Sequence, residues 1–139
     1  NWVGLSVPTH CSAVGKSFLA FGSAETSGRL AKRTSKSITT KAALHVDLKA
    51  VRKRGWALSE SELEVGLTAI GAPIFNADGT VVAALSVSGP TMRLTNERVE
   101  TIGGLISQQG LLISEQLGFS VPESTHSGYS TSERKVGAA

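Results

Sequence analysis

The chain has 139 residues, close to the usual size of one domain, and 40% of them are hydrophobic, enough for one ordinary core. A net charge of +3 and a pI near 9.3 make it mildly basic, but the cations are scattered along the chain without aromatic partners, so direct nucleic-acid binding by this segment is not required. A single Cys excludes an intramolecular disulfide and a multi-cysteine zinc site and fits a reducing, cytoplasmic setting, while the longest unbroken apolar stretch, Val81 to Leu85, is far too short to cross a bilayer.

The chain starts at Asn1 and its one methionine is Met92, so a fragment of a longer translated protein is expected. An apolar alternating run (Trp2, Val3, Leu5, Val7) ends at Pro8, and a helical pattern follows at once with Val14, Phe18 and Phe21. Ser12 is the natural N-cap. That placement leaves the amides of Ala13, Val14 and Gly15 without intrahelical partners and makes the helix start attractive to a carboxylate. Gly15-Lys16-Ser17 resembles the end of a phosphate-binding loop, but the glycine required five positions earlier is His10, and no apolar run ending in Asp follows to hold magnesium. His10 beside Cys11 suggests a nucleophilic pair, yet adjacent loop side chains diverge and no carboxylate partner can be nominated; a polar His and a small, half-buried Cys are expected instead. Lys16, one turn into the helix, is expected to point outward.

Ser23 is read as the cap of a second helix with Leu30 and Ala31 on its buried side, followed by a connector from Thr34 to Thr39 with a short extended piece. Thr40 starts a clearer helix, with Leu44, Leu48 and Val51 on one face and Lys49, Arg52 and Lys53 facing away, and Gly55 ends it. Arg52-Lys53-Arg54 reads as dipole partners on a solvated face. Trp56 to Leu58 is extended, and Ser59-Glu60-Ser61-Glu62 reads as an exposed acidic loop or short helical turn.

Between Gly66 and Gly89 two apolar runs flank Asn76-Ala77-Asp78-Gly79, the pattern of a hairpin. A two-residue turn at Asp78-Gly79 would set Phe75 opposite Val82, Pro73 opposite Ala84, Gly71 opposite Ser86 and Ala69 opposite Ser88. Leu67, Ala69, Gly71, Ser86 and Ser88 would then share one face, and Ile70, Ile74, Val81, Leu85 and Val87 the other, as core. The small face with two hydroxyls suits a ligand or a closely packed helix, and spacing alone does not choose. Pro73 implies an unpaired side or a bulge. Thr95 caps the longest helix, whose apolar face is expected at Val99, Ile102, Ile106, Ile113 and Leu117; Gly103, Gly104 and Gly110 imply close approach by the sheet or by a second subunit. From Ser120 to Ala139 the chain is Ser/Thr/Gly-rich and is expected to be a disordered tail.

Pro8-Thr9-His10-Cys11-Ser12-Ala13-Val14-Gly15-Lys16, then Arg54-Gly55-Trp56, Glu62-Leu63-Glu64-Val65-Gly66-Leu67, Ala72-Pro73-Ile74 and Ala84-Leu85-Ser86-Val87-Ser88-Gly89-Pro90, in order and with matching spacing, resemble the effector-binding domain of IclR-type transcriptional regulators. The resemblance implies an α+β, GAF-like curved antiparallel sheet flanked by helices over residues 1–119, with the opening part of the domain and an N-terminal winged helix-turn-helix domain missing from the chain. It implies a small-molecule effector, contact with DNA only through the missing domain, a homodimer or homotetramer, no membrane partner, no metal or cofactor and no catalysis. Carried over by position, the ligand contacts it implies are the amides of Ala13 and Val14, Ser59 and Ala69 on the strand side, Leu67 as an apolar wall, and the hydroxyls of Ser86 and Ser88. Ser59 and Ala69 stand where a family member that senses a very small oxo-acid has Asp and Cys, so the resemblance implies a roomier, less charged pocket and a larger, aromatic organic acid. The alternatives are a structural dimerisation module and a nucleotide-binding enzyme fragment.

Overall fold

The computed structural model describes residues 6–26 and 28–121. Trp2, Val3 and Leu5 of the opening run, and residues 122–139 of the expected tail, lie outside them. The order is a 3-10 turn (Thr9–Cys11), α1 (Ala13–Phe21), α2 (Lys41–Arg54), β1 (Ala57–Glu60), β2 (Leu67–Phe75), β3 (Val81–Pro90), a second 3-10 turn (Thr91–Arg93) and α3 (Asn96–Gln116). The fold is α+β, built on one antiparallel sheet with order β1-β2-β3.

Two hydrophobic clusters form on opposite faces of the sheet. Ile70 and Ala72 of β2 pack with Trp56 and with Val99 and Ile106 of α3. On the other face Ala57 packs with Leu19 and Ala20 of α1, with Leu44, Leu48 and Val51 of α2, and with Leu30. The expected helix at Ser23 does not form. Leu30 is buried but Ala31 is exposed, Gly28 has φ 81°, and one apolar anchor cannot support an isolated short helix. The connector at 34–39 makes a turn over 34–37 and forms no strand, with Thr34 buried where its hydroxyl donates to Ser61 O at 2.6 Å. Ser12, Thr40 and Thr95 cap their helices as read from sequence, and Gly55 ends α2 at φ 86°.

The hairpin register holds at Pro73↔Ala84, Gly71↔Ser86 and Ala69↔Ser88. It slips beyond Ile74, so that Phe75 lies opposite Val81 rather than Val82. The turn is wider than two residues because Asn76 Oδ1 accepts from the amides of Asp78 and Thr80, both at 3.0 Å. Pro73 is tolerated in this central strand because β1 pairs with β2 only from Thr68 to Gly71. At the slip the Phe75 amide is taken by Ser114 Oγ at 2.8 Å, whose own proton goes to Gly110 O at 2.7 Å. Ser114→Ala is therefore expected to cost about 1–3 kcal/mol, measured by urea unfolding, because it orphans a partly buried amide.

Three apolar residues expected in the core are exposed in the chain: Val87, Ile113 and Leu117. Val87 lies on β3, which pairs only with β2 among the described residues. On α3 the buried column is Val99, Gly103, Ile106, Gly110 and Ser114. A Cβ at Gly110 would stand 2.8 Å from Pro73 O, and one at Gly103 would stand 2.3 Å from the Trp56 ring. The helix meets the sheet through glycine because its backbone approaches too closely for larger groups, so a pattern of large side chains misses half the contact.

Candidate functional site

The first turn of α1 sits directly over β2. A Cβ on Gly71 would fall 2.9 Å from both the carbonyl carbon and the oxygen of Ala13, so only glycine permits this approach. Ser12 Oγ accepts from the Gly15 amide at 3.2 Å and donates to Pro8 O at 2.7 Å, which fixes the corner before the helix. Lys16 N–H returns to Ser12 O at 2.9 Å. The Ala13 and Val14 amides, at the first two helical positions, have no acceptor one turn back within the helix. This end of α1 also carries the positive end of the helix dipole.

Between this turn and the sheet lies a cleft of about 590 Å³. All seven residues singled out from sequence line it: Ala13, Val14, Ser59, Leu67, Ala69, Ser86 and Ser88. Their situations differ. Ser86 and Ser88 are exposed on β3, whereas Ser59 is buried and its hydroxyl donates to Cys11 O at 2.7 Å, tying β1 to the turn before α1. Ser59 therefore belongs to β1 and not to an acidic loop. Val7, Phe18 and Leu63 supply further apolar wall that the motifs did not single out; Phe18 was visible only as a helix-face residue. No charged side chain lines the cleft among the described residues.

The cation nearest in sequence is turned away. Lys16 is fully buried and not outward as expected: its Nζ donates to Glu62 Oε1 at 2.7 Å and to Leu58 O at 2.9 Å, and stands 2.9 Å from Asp47 Oδ2. The ammonium thus joins α1 to α2, to β1 and to the loop after it, and it cannot serve a phosphate. Glu62 is likewise no exposed acid. Burial pushes its carboxyl above the usual carboxylate range while Lys16 opposes the rise, and its Oε2 is buried with no partner among the described residues. Cys11 is fully buried rather than half-buried, and burial, with Glu62 nearby, pushes its thiol up and away from the reactive thiolate. His10 is also buried, and its Nε2 donates to Ala31 O at 2.9 Å. The basic run after Val51 is partly used within the fold: Arg52 Nε donates to Ala20 O, and Arg54 Nε donates to Trp56 O with its guanidinium 4.0 Å over the Trp56 ring. The glycines of α3 at 103 and 110 face Trp56 and the sheet, so their close approach comes from within the chain, whereas a Cβ at Gly104 would meet nothing within 4 Å among the described residues.

A sequence-family profile described as the C-terminal region of the bacterial transcriptional regulator IclR matches residues 1–115. The HTH-type transcriptional regulator KdgR of Escherichia coli (strain K12) is 31% identical over 123 residues, covering 84% of this chain and 47% of that protein. The crystal structure of Thermotoga maritima IclR superposes with a TM-score of 0.75 at 32% identity, covering 80% of this chain and 47% of that one. The inducer-binding domain of the PobR transcription factor from Acinetobacter, a double mutant in complex with 3-hydroxybenzoic acid, superposes with a TM-score of 0.70 at 26% identity, covering 80% and 67%. The chain spans about half the length of the curated relatives it matches. No helix among the described residues is long and apolar enough to cross a membrane. With its fold, its matched residues and these relatives in agreement, the chain belongs to the IclR family of bacterial transcriptional regulators, a family of regulators and not of enzymes, and corresponds to its C-terminal region.

Proposed function

We propose that the chain is the ligand-sensing part of a transcription regulator and that the cleft between α1 and the sheet binds an organic acid of aromatic size. The observation that carries this reading is the pairing of one polar end with an apolar body: the Ala13 and Val14 amides at the start of α1, which have no intrahelical acceptor, set against walls of Val14, Phe18, Leu63 and Leu67. A carboxylate fits the amides, and Ser86 and Ser88 supply hydroxyls for a ring substituent or the second carboxylate oxygen. Ser59 holds the turn and Ala69 leaves room. The volume exceeds what a two-carbon or three-carbon acid fills, and a structural relative holds a hydroxybenzoic acid in its inducer-binding domain. Bound ligand favours one arrangement of α1 against the sheet, and that differential affinity biases DNA binding by a helix-turn-helix domain elsewhere in the intact regulator.

Calorimetric titration with benzoate, the hydroxybenzoates, pyruvate and glyoxylate tests this. An aromatic acid is expected to bind, and Ser86→Ala with Ser88→Ala to weaken it by about 2 kcal/mol, roughly 30-fold. An affinity unchanged in the double variant, or tighter binding of the two-carbon acid, overturns the assignment.

A further inference from the structure

The cations are less evenly spread along the chain than the whole-chain totals suggest. Residues 29–54 contain nine Lys or Arg and one acid, Asp47, whereas residues 55–121 contain two Arg against seven Asp or Glu. On α2 the fold removes the one acid from play: Asp47 is engaged by the buried Lys16, on the flank away from the main basic stripe. At 3.6 residues per turn, Lys41, His45, Lys49, Arg52 and Lys53 fall within about one third of the helix circumference. All five are exposed, on a stripe that begins beside Leu48 and runs away from the buried Leu44, Leu48 and Val51 side. Lys41, His45, Lys49 and Lys53 recur every four residues, about 6 Å apart, in a row about 18 Å long.

Cations in the last turn of a helix are explained by its dipole, and Arg52 and Lys53 have that explanation. Lys41 and Lys49 do not, since Lys41 begins the helix, where a cation is unfavourable. None of Lys41, Lys49, Arg52 and Lys53 makes an ion pair among the described residues. Glu25 is the acid bordering this face, across a shallow groove that Lys41, His45 and Arg52 also line.

We infer that the exposed face of α2 is a docking surface for the phosphate backbone of duplex DNA, read without regard to base sequence. A duplex carries one phosphate per ~3.4 Å on each strand, so an 18 Å row of cations runs alongside about five of them. The face would add non-specific affinity to operator binding by a separate domain. The choice of DNA as the polyanion rests on the regulator reading above, whereas the face itself is independent of the cleft.

The test uses the 139-residue chain with a fluorescein-labelled 20-base-pair duplex of arbitrary sequence, followed by anisotropy from 20 to 200 mM salt. Binding is expected to weaken with salt with a log–log slope of about −3, three or four phosphates being neutralised. Lys41→Gln with Lys49→Gln and Lys53→Gln, all exposed positions, is expected to lower affinity at least tenfold at 50 mM salt and to flatten the slope. Arg93→Gln with Arg98→Gln, and Arg134→Gln with Lys135→Gln, are expected to leave both unchanged. Absence of duplex binding at 20 mM salt, a triple variant equal to the parent, or binding to phosphatidylserine vesicles without binding to duplex each overturns the inference. Duplex binding retained in a chain that binds no organic acid would fail the cleft reading alone.

Discussion

Lys16→Met is expected to destabilise the chain by about 3–5 kcal/mol at pH 7, the usual cost of removing one partner from a buried ionic cluster. The aliphatic stem is kept, so the loss is electrostatic: Glu62 and Asp47 are left facing each other with no cation between them. The pH dependence separates this from a packing effect. The Glu62 carboxyl already lies above its ordinary range because burial outweighs the attraction of Lys16, and removing the ammonium lifts it further. A carboxyl whose folded value exceeds its unfolded value, about 4.3, contributes stability that is present in full below that value and is lost as pH rises through the folded one. The cost of Lys16→Met should therefore be smaller at pH 4 than at pH 7, and adding Glu62→Gln should recover part of the loss at pH 7. Urea unfolding at the two pH values checks this; a pH-independent cost would remove the cluster from the account of stability.

Gly15→Ala is the second large effect, and its sign runs against helix propensity. Within a helix, alanine is ordinarily favoured over glycine by about 1 kcal/mol. Here a Cβ would stand 2.3 Å from Thr9 Cα and 2.5 Å from Thr9 O, both backbone atoms that cannot swing aside. The helix start must move off the 3-10 turn, at a cost of about 1–3 kcal/mol by the measure of overpacked cores. Because the same turn carries the Ala13 and Val14 amides, affinity for an organic acid should fall with stability, and thermal unfolding with a ligand titration reads both. A variant as stable as the parent would show that the turn yields cheaply.

What the sequence conveyed about the cleft came from features with strict geometric consequences. Ser12 as a cap fixes where the amides lie, and alternation puts Ser86 and Ser88 on one face of β3, which Ala69 shares because the register read from sequence holds from Leu67 to Ile74. The slip at Phe75 was invisible because it depends on Asn76 and Ser114, thirty-eight residues apart, capturing backbone groups. Lys16 was misjudged for a related reason: local position says that a lysine one turn into a helix is solvated, and only the fold reveals two carboxylates waiting behind it. The face of α3 was half legible, since Val99 and Ile106 declare themselves by hydrophobicity while Gly103, Gly110 and Ser114 act by being small.

The contact between Trp56 and Gly103 gives the chain an optical reporter of its own. The indole is 3% exposed, with the Arg54 guanidinium on its ring and helix backbone packed against it. Separation of α3 from the sheet would admit water to that ring and shift its emission to longer wavelength. With Trp2 changed to Phe, the remaining tryptophan fluorescence would come from this single junction, and undocking of the last helix could be timed without any label.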